Sequence, residues 1–171
     1  LNYACYFGLE EEYLQSIVDF ILSQQMPDGG FNCRSNRSGA RHSSLHTTLS
    51  IAEGIREYIL NNYSYRVKEL KEAEQACRDF MLIHQLYLSD HTDEIIDQKF
   101  LRLPYPPRWR YDILRALDYF RESNTPYDQR MQKALNVLES KKRKDHCWPL
   151  QTHYPGKRHF EMEKVEIGRA H

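Results

Sequence analysis

Five stretches of the sequence space their apolar residues at the period of an α-helix, and none alternates apolar and polar residues as a strand would. In the first, Leu14, Val18 and Ile21 recur three and four residues apart, and the cluster Pro27-Asp28-Gly29-Gly30 ends it. The predicted helices span about 11–25, a stretch from Ser43 or Ser44 to 61, 66–88, a stretch after Pro107 that carries 111–120, and 128–142. We therefore predict an all-α fold without a β-sheet.

These helices differ in how much of their circumference is apolar. The first, third and fifth carry one apolar stripe and a charged back, which is typical of a helix with one face in water. The second and fourth are apolar or small over more of their surface, through residues 48–52 and 113–117. Such helices have neighbours on several sides, so the strict alternation predicts antiparallel hairpins arranged in an inner and an outer layer.

A repeat of about 60 residues supports this arrangement. Asp19-Phe20-Ile21-Leu22, followed by Gln25, recurs as Asp79-Phe80-Met81-Leu82, followed by Gln85. We predict one domain over residues 1–171, with hairpin units at about 11–62, 66–122 and 127–171. Because the chain opens at Leu1 and ends in a polar stretch where another helix is expected, we also expect it to be a fragment of a longer protein.

Composition narrows the function classes. The 24 basic and 24 acidic residues cancel, which removes the electrostatic basis for nucleic-acid binding. No apolar run approaches the roughly 20 residues that span a bilayer. The four cysteines lie far apart without a C-x-x-C pair, a pattern that suits reduced thiols. We expect a cytoplasmic protein without a transmembrane segment.

The first hairpin resembles a known repeat. The pattern Phe20-Ile21-x3-Gln25-x3-Gly29-x-Phe31 is similar to the QW motif of squalene cyclases and related prenyltransferase-type repeats, with Phe31 in place of tryptophan. A degraded copy ends at Trp148, and the middle unit keeps Gln85 without the glycine turn. The resemblance implies a partial α/α toroid around an apolar cavity, in which these glutamines and aromatics tie an outer helix to the next inner one.

Catalytic residues of that family are not recognisable in the sequence. The cyclases protonate their substrate with an aspartic acid in a D-x-D-D or D-C-T-A-E setting, and D-x-D-D does not occur here. Residues 88–94 resemble the second pattern weakly. Asp90, however, lies among other acids at a helix end, where a solvated loop is the better interpretation. The catalytic residues stay unknown, and the sequence does not decide whether the protein is an enzyme.

Two clusters suggest metal ligands. Asp145-x-Cys147 is similar to the first two zinc ligands of protein prenyltransferases, but the third, a histidine from a later helix, has no counterpart in the chain. His42 and His46, four residues apart on a helix with Cys33 ahead of them, form the other cluster. In both places a turn or capping role is the better-supported interpretation, so we predict no cofactor and keep zinc as an alternative.

The starts of the two inner helices are the predicted ligand-binding regions, because in a toroid they border the cavity mouth. Arginines beside free N–H groups at a helix N-terminus can hold an anion such as diphosphate. The alternative is that Ser43 and Asp112 cap their helices while the arginines pair with acids. The candidate residues are Arg41, His42, His46, Arg108, Trp109, Arg110 and Asp112.

Our leading hypothesis is a squalene cyclase- or prenyltransferase-like repeat protein that binds an isoprenoid or lipid-like molecule in an apolar cavity. One alternative is a terpenoid cyclase or prenyl transferase whose catalytic half is missing from the chain. The other is a helical-repeat scaffold for protein partners. Self-association is expected if the ring of helices is incomplete.

Overall fold

The computed structural model describes residues 1–151, apart from the side chains of residues 36 and 37, and the backbone of residues 166–169. The described part of the chain is predominantly helical, which confirms the all-α class. Its elements, besides two short 3-10 helices at Gln98–Leu101 and Gln129–Met131, are α1 (Asn2–Tyr6), α2 (Glu11–Ser23), α3 (Ser35–Ser38), α4 (Leu45–Leu60), α5 (Val67–Ile83), α6 (Ile113–Glu122), α7 (Gln132–Lys141), β1 (Cys147–Pro149) and β2 (Glu166–Arg169).

The five predicted helices correspond to α2, α4, α5, α6 and α7, with one large difference in length. Helix α5 ends at Ile83 rather than at Leu88. Gln85 and Leu86 follow it with positive φ angles of 44° and 70°, which no α-helix contains. Leu86 is fully buried in this turn, so its apolar side chain extended the helical pattern beyond the helix itself.

The prediction that the chain has no sheet was wrong. Strands β1 and β2 pair antiparallel, with Trp148 opposite Ile167 and Pro149 opposite Glu166. Strands of three and four residues are too short for a period of two to be visible in the sequence. Short length also hid helix α1, which spans five residues.

The chain packs as two compact units, residues 1–83 and 84–171. In the first, α4 packs against α5 and α1, and α2 also contacts α5. The core between these helices is formed by Cys5, Leu14, Val18, Ile55, Tyr58, Leu70 and Ala73. Ser44 caps α4 by accepting a hydrogen bond from the N–H of Thr47, which decides between the two serines proposed as the cap.

The second unit is organised around Tyr111, whose side chain is almost fully buried. Its hydroxyl donates to the carbonyl of Leu86, and its ring packs edge-on against Phe100 with 4.9 Å between centroids. The next residue, Asp112, caps α6 by accepting from the N–H of Arg115 at 2.9 Å. Tyr111 therefore joins the start of α6 to the turn after α5.

In the part of the chain that the structure describes, every helix is too short or too polar to cross a membrane.

The Glu11 carboxylate connects the start of α2 to the loop before α5. It accepts hydrogen bonds from the Tyr58 hydroxyl at 2.7 Å, the N–H of Tyr65 at 2.6 Å, and both the N–H and the hydroxyl of Ser64. The Tyr65 N–H and the Tyr58 hydroxyl are the largest causes that lower the Glu11 pKa to about 2 from an ordinary 4.5. The ionised form of Glu11 is thus the one the fold stabilises.

The Glu11 carboxylate makes the stability of the fold depend on pH in the acidic range. Because its pKa is lowered in the folded state, its stabilising contribution is complete above pH 4.5 and is lost as the pH falls towards 2. We expect Glu11→Gln to lower the melting temperature at pH 7 and to flatten its decline between pH 4.5 and 2. Circular dichroism melts across this range measure both effects, with Glu12→Gln on the exposed neighbour as control. An unchanged acid profile in Glu11→Gln would contradict the assignment.

Candidate ligand cleft

A tight turn over residues 25–31 follows the end of α2 and contacts the start of α4. The Gln25 side-chain amide donates to the carbonyl of Gly29 at 3.0 Å. The N–H of Phe31 donates to the hydroxyl of Thr48 at 3.0 Å, and the carbonyl of Phe31 accepts from the N–H of Ser44 at 2.9 Å. Phe31 is buried, with 2% of its surface exposed. Gln25 thus closes the turn on Gly29, and the Phe31 main chain fastens the turn to the start of α4.

Asp28 closes the same turn from the outside. Its carboxylate accepts from the N–H of Ser43 at 2.8 Å, from the Ser43 hydroxyl, and from the N–H of Gly30 at 3.4 Å. Partial burial raises the Asp28 pKa, but these hydrogen bonds outweigh burial and hold it below its ordinary value. An ionised carboxylate of the chain itself therefore stands beside the residues that lead into α4.

A cleft of about 410 Å³ opens next to this turn. Its volume falls within the roughly 300–1,000 Å³ typical of sites for small organic molecules. The wall is formed by the last two turns of α2, the loop after Phe31 and the first two turns of α4. The lining residues are Phe20, Ile21, Gln24, Phe31, Asn32, Cys33, Ser35, Thr47 and Ile51.

The cleft combines an apolar wall with a polar rim. Phe20, Ile21, Phe31 and Ile51 form the wall, and Phe20 has 59% of its surface exposed, a large fraction for a phenylalanine. The other lining residues are amides, hydroxyls and a thiol. An apolar site with a few neutral hydrogen-bonding groups suits a ligand that is mainly hydrocarbon.

Cys33 is the one exposed thiol among the four cysteines, and it lies on the rim of this cleft. Cys5, Cys77 and Cys147 are buried. Burial is the largest cause that raises the pKa of Cys5 and of Cys77, so these two thiols are poor nucleophiles. Cys33 is therefore a natural chemical reporter for the cleft.

The residues predicted at the start of α4 lie outside this lining. Arg41 and His42 are exposed, and His46 is half-buried. The backbone carbonyl of His42 accepts from the side-chain amide of Asn32 at 2.8 Å, so His42 shapes the rim through its main chain. The α4 residues that line the cleft are instead Thr47 and Ile51.

The residues predicted at the start of α6 form a local structure of their own. The Arg110 guanidinium stacks over the exposed ring of Trp109, 5.1 Å from its centroid. The carbonyl of Arg110 accepts from the Arg115 side chain at 2.8 Å. Arg108 is exposed and has a φ of 54°, while Asp112 is buried as the cap of α6. Asp112 thus has the capping role that we gave as the alternative to ligand binding.

The proposed zinc ligands Asp145 and Cys147 meet in a turn. The Asp145 carboxylate pairs with Arg143 and accepts from the N–H of Cys147 at 3.1 Å. The Arg143 hydrogen bond is the largest cause that lowers the Asp145 pKa to about 2. Among the described residues, no three His, Cys, Asp or Glu side chains converge on one point, and Cys33, His42 and His46 do not form such a group. His153 and His159, the histidines that follow this pair most closely in the sequence, lie outside the described residues.

Trp148 and Gln85, which belong to the later copies of the glutamine–aromatic pattern, make different contacts. The indole N–H of Trp148 donates to the carbonyl of Leu138 in α7 at 2.9 Å, and Lys142 lies 5.4 Å from the centre of its ring. Gln85 instead donates to Asp93 at 3.4 Å within the loop after α5. Trp148 therefore ties a strand to a helix end, whereas Gln85 braces a loop.

Four of the nine lining residues, Phe20, Ile21, Phe31 and Cys33, were named from the sequence as helix, repeat or metal-cluster residues, and none was assigned to a cleft. Phe20, Ile21 and Gln24 share one side of α2, and Thr47 and Ile51 are four residues apart on α4, so helical spacing was the available signal. It went unused because an apolar side chain on a cleft wall and one in a core give the same pattern. Comparisons with protein-family models, with curated proteins and with solved structures found no match.

Proposed function

We propose that the protein binds an isoprenoid or similar lipid-like molecule in the cleft between α2 and α4. The observation that carries this proposal is the cleft itself, about 410 Å³ in volume and walled by Phe20, Ile21, Phe31 and Ile51. When the hydrocarbon of a ligand replaces water beside an exposed phenylalanine in an apolar cavity, the free energy of the complex is lowered. The ligand chain would lie along these four side chains.

The hairpin geometry supports the wider proposal of a partial α/α-toroid repeat. In a QW-type hairpin, the glutamine and the aromatic residue tie the end of an outer helix to the start of the next inner one. Here the Gln25 amide closes the turn after α2 on Gly29, and the N–H of Phe31 donates to Thr48 at the start of α4, which is the kind of connection such a motif makes. We propose the toroid on this hairpin, with the cleft lying between its outer helix α2 and its inner helix α4.

Alkylation of Cys33 provides the test. We expect iodoacetamide to modify Cys33 much faster than the three buried cysteines, and saturating farnesol to slow this modification several-fold. The ligand would cover the rim on which the thiol lies. Peptide mass spectrometry at a series of farnesol concentrations gives the rate at each cysteine. An unchanged Cys33 rate at saturating farnesol, together with an unchanged rate for palmitoyl and geranylgeranyl alcohols, would contradict the proposal.

A cleft-filling variant gives an independent measurement. We expect Cys33→Trp to weaken binding of the uncharged dye Nile red at least tenfold, because the indole would occupy the rim. Gln15→Trp is the matched control, since Gln15 is exposed on α2 and points away from the side that carries Phe20 and Gln24. Equal dye affinity in the two variants would place the bound dye elsewhere.

A further inference from the structure

We propose that the cleft selects uncharged amphiphiles, meaning a hydrocarbon chain that ends in one hydroxyl or carbonyl group, over the same chain ending in a carboxylate or diphosphate. This inference rests on the proposed function, because it names the head group of the molecule that the cleft binds. It also departs from the sequence analysis, in which arginines at the start of an inner helix were candidates for holding diphosphate.

The chemistry of the rim is the first argument. The polar residues that line the cleft within the described part of the chain are all uncharged: Gln24, Asn32, Cys33, Ser35 and Thr47. Arg34 lies between two of them in the sequence, but its exposed side chain is not part of the lining. An anionic head group entering the cleft would lose water without gaining a cation among the described lining residues, so its binding is disfavoured relative to a neutral head group.

The hydrogen bonds that Thr47 and Asn32 already make indicate which hydrogen-bond donors the rim still offers to a ligand. The Thr47 hydroxyl oxygen accepts from the N–H of Cys33 at 3.3 Å and from the Ser44 hydroxyl at 3.1 Å, so its own O–H is left to donate. Both ends of the Asn32 side-chain amide already form hydrogen bonds. Its NH₂ group donates to the carbonyl of His42, and its oxygen accepts from the N–H of Arg34. One donated hydrogen bond from a hydroxyl matches a ligand hydroxyl or carbonyl oxygen.

The start of α4 gives the second argument. A helix N-terminus attracts anions, and the first turn of α4 borders the cleft through Thr47. The chain has already placed its own anion there, because Asp28 binds both the N–H and the hydroxyl of Ser43, and Ser44 caps the N–H of Thr47. A second negative charge would be repelled by Asp28 and would find the capped N–H occupied.

Three ligands with the same chain test the inference: farnesol, farnesoic acid and farnesyl diphosphate. Each is titrated into the wild-type protein with Nile red bound, at pH 7.5, where farnesoic acid and farnesyl diphosphate are ionised. We expect farnesol to displace the dye at concentrations at least tenfold lower than either acid. Protection of Cys33 from iodoacetamide should follow the same order.

A charge-inserting variant makes the test specific to the rim. Cys33→Lys would place an ammonium group among the neutral lining residues, and we expect it to tighten farnesoic acid binding at least tenfold relative to farnesol. Gln15→Lys, exposed on the opposite side of α2, adds the same charge outside the cleft and should leave the wild-type preference unchanged.

The outcomes separate the two proposals. Equal or tighter binding of the acids to the wild-type protein, or a change of preference in Gln15→Lys as large as that in Cys33→Lys, overturns the head-group inference while the cleft remains a binding site. If none of the three ligands displaces Nile red or protects Cys33, both the inference and the proposed function fail.

Discussion

Gly30→Ala is expected to destabilise the first unit by about 1–3 kcal/mol, the usual range for inserting a methyl group into a packed site. A Cβ at this position would lie 2.7 Å from the Cβ of Ser43 and 2.7 Å from the Thr48 hydroxyl oxygen. Neither atom is the far end of a flexible chain, so the turn must move. Because Phe31 is bonded to Thr48 beside it, we expect Nile red affinity to fall as well.

Gly54→Ala is the matched control for this substitution. Gly54 lies in the middle of α4, and its added Cβ would meet its nearest neighbours, Asn2 and Leu1, at an ordinary 3.5 Å. Replacing a mid-helix glycine with alanine typically stabilises by about 0.5–1 kcal/mol. Urea denaturation followed by circular dichroism should therefore give opposite signs for the two variants. A neutral Gly30→Ala would show that the turn adapts without cost.

Tyr111→Ala is expected to cost the second unit about 3–5 kcal/mol, as large aromatic truncations in cores do. The ring packs on Phe100, and the hydroxyl holds the carbonyl of Leu86. Tyr111→Phe keeps the ring and removes only the donor. It should cost about 1–3 kcal/mol, because the buried Leu86 carbonyl loses its bond. The difference between the two variants separates packing from hydrogen bonding.

Tryptophan fluorescence follows this unit selectively, since both tryptophans, Trp109 and Trp148, belong to residues 84–171. Tyr127→Phe serves as the control. Its hydroxyl bonds to Gln132 at the surface, where such changes usually stay within about 0.5 kcal/mol. If Tyr111→Phe unfolded at the same urea concentration as Tyr127→Phe, the bond to Leu86 would contribute nothing to stability.

The helices were predictable because their signals are local. The stripe of Leu14, Val18 and Ile21, a cap at Ser43 or Ser44, and a cap at Asp112 can be identified without tertiary information. The end of α5 could not be predicted in this way. Leu86 continues the helical spacing of apolar residues, yet it lies in a turn and has a positive φ. The carbonyl of Leu86 in this turn accepts a hydrogen bond from the hydroxyl of Tyr111, 25 residues later. Contacts between residues so far apart in the sequence leave no pattern in the local sequence.

The cleft was not predicted from the sequence, also for a physical reason. Gln25, Gly29 and Phe31 were named from the pattern of residues, and they share one turn, in which Gln25 bonds to Gly29 and Phe31 bonds to Thr48. The cleft beside it depends on how far α2 and α4 diverge, which spacing alone does not specify. The functional prediction was based on charged and aromatic residues such as Arg41 and Trp109. The cleft is instead lined by Thr47, Cys33 and other uncharged residues.

The hydrogen bond from the N–H of Ser44 to the carbonyl of Phe31 has a consequence for how this protein could diversify. It pins the two ends of the intervening loop, residues 32–43, to each other, and Asp28 and Thr48 reinforce the junction from either side. The entropic cost of a longer closed loop grows only logarithmically with its length, by about 0.6 kcal/mol per doubling. Insertions between residues 34 and 41 would therefore reshape the rim around Cys33 at small cost to the helices, so ligand preference can evolve separately from the fold.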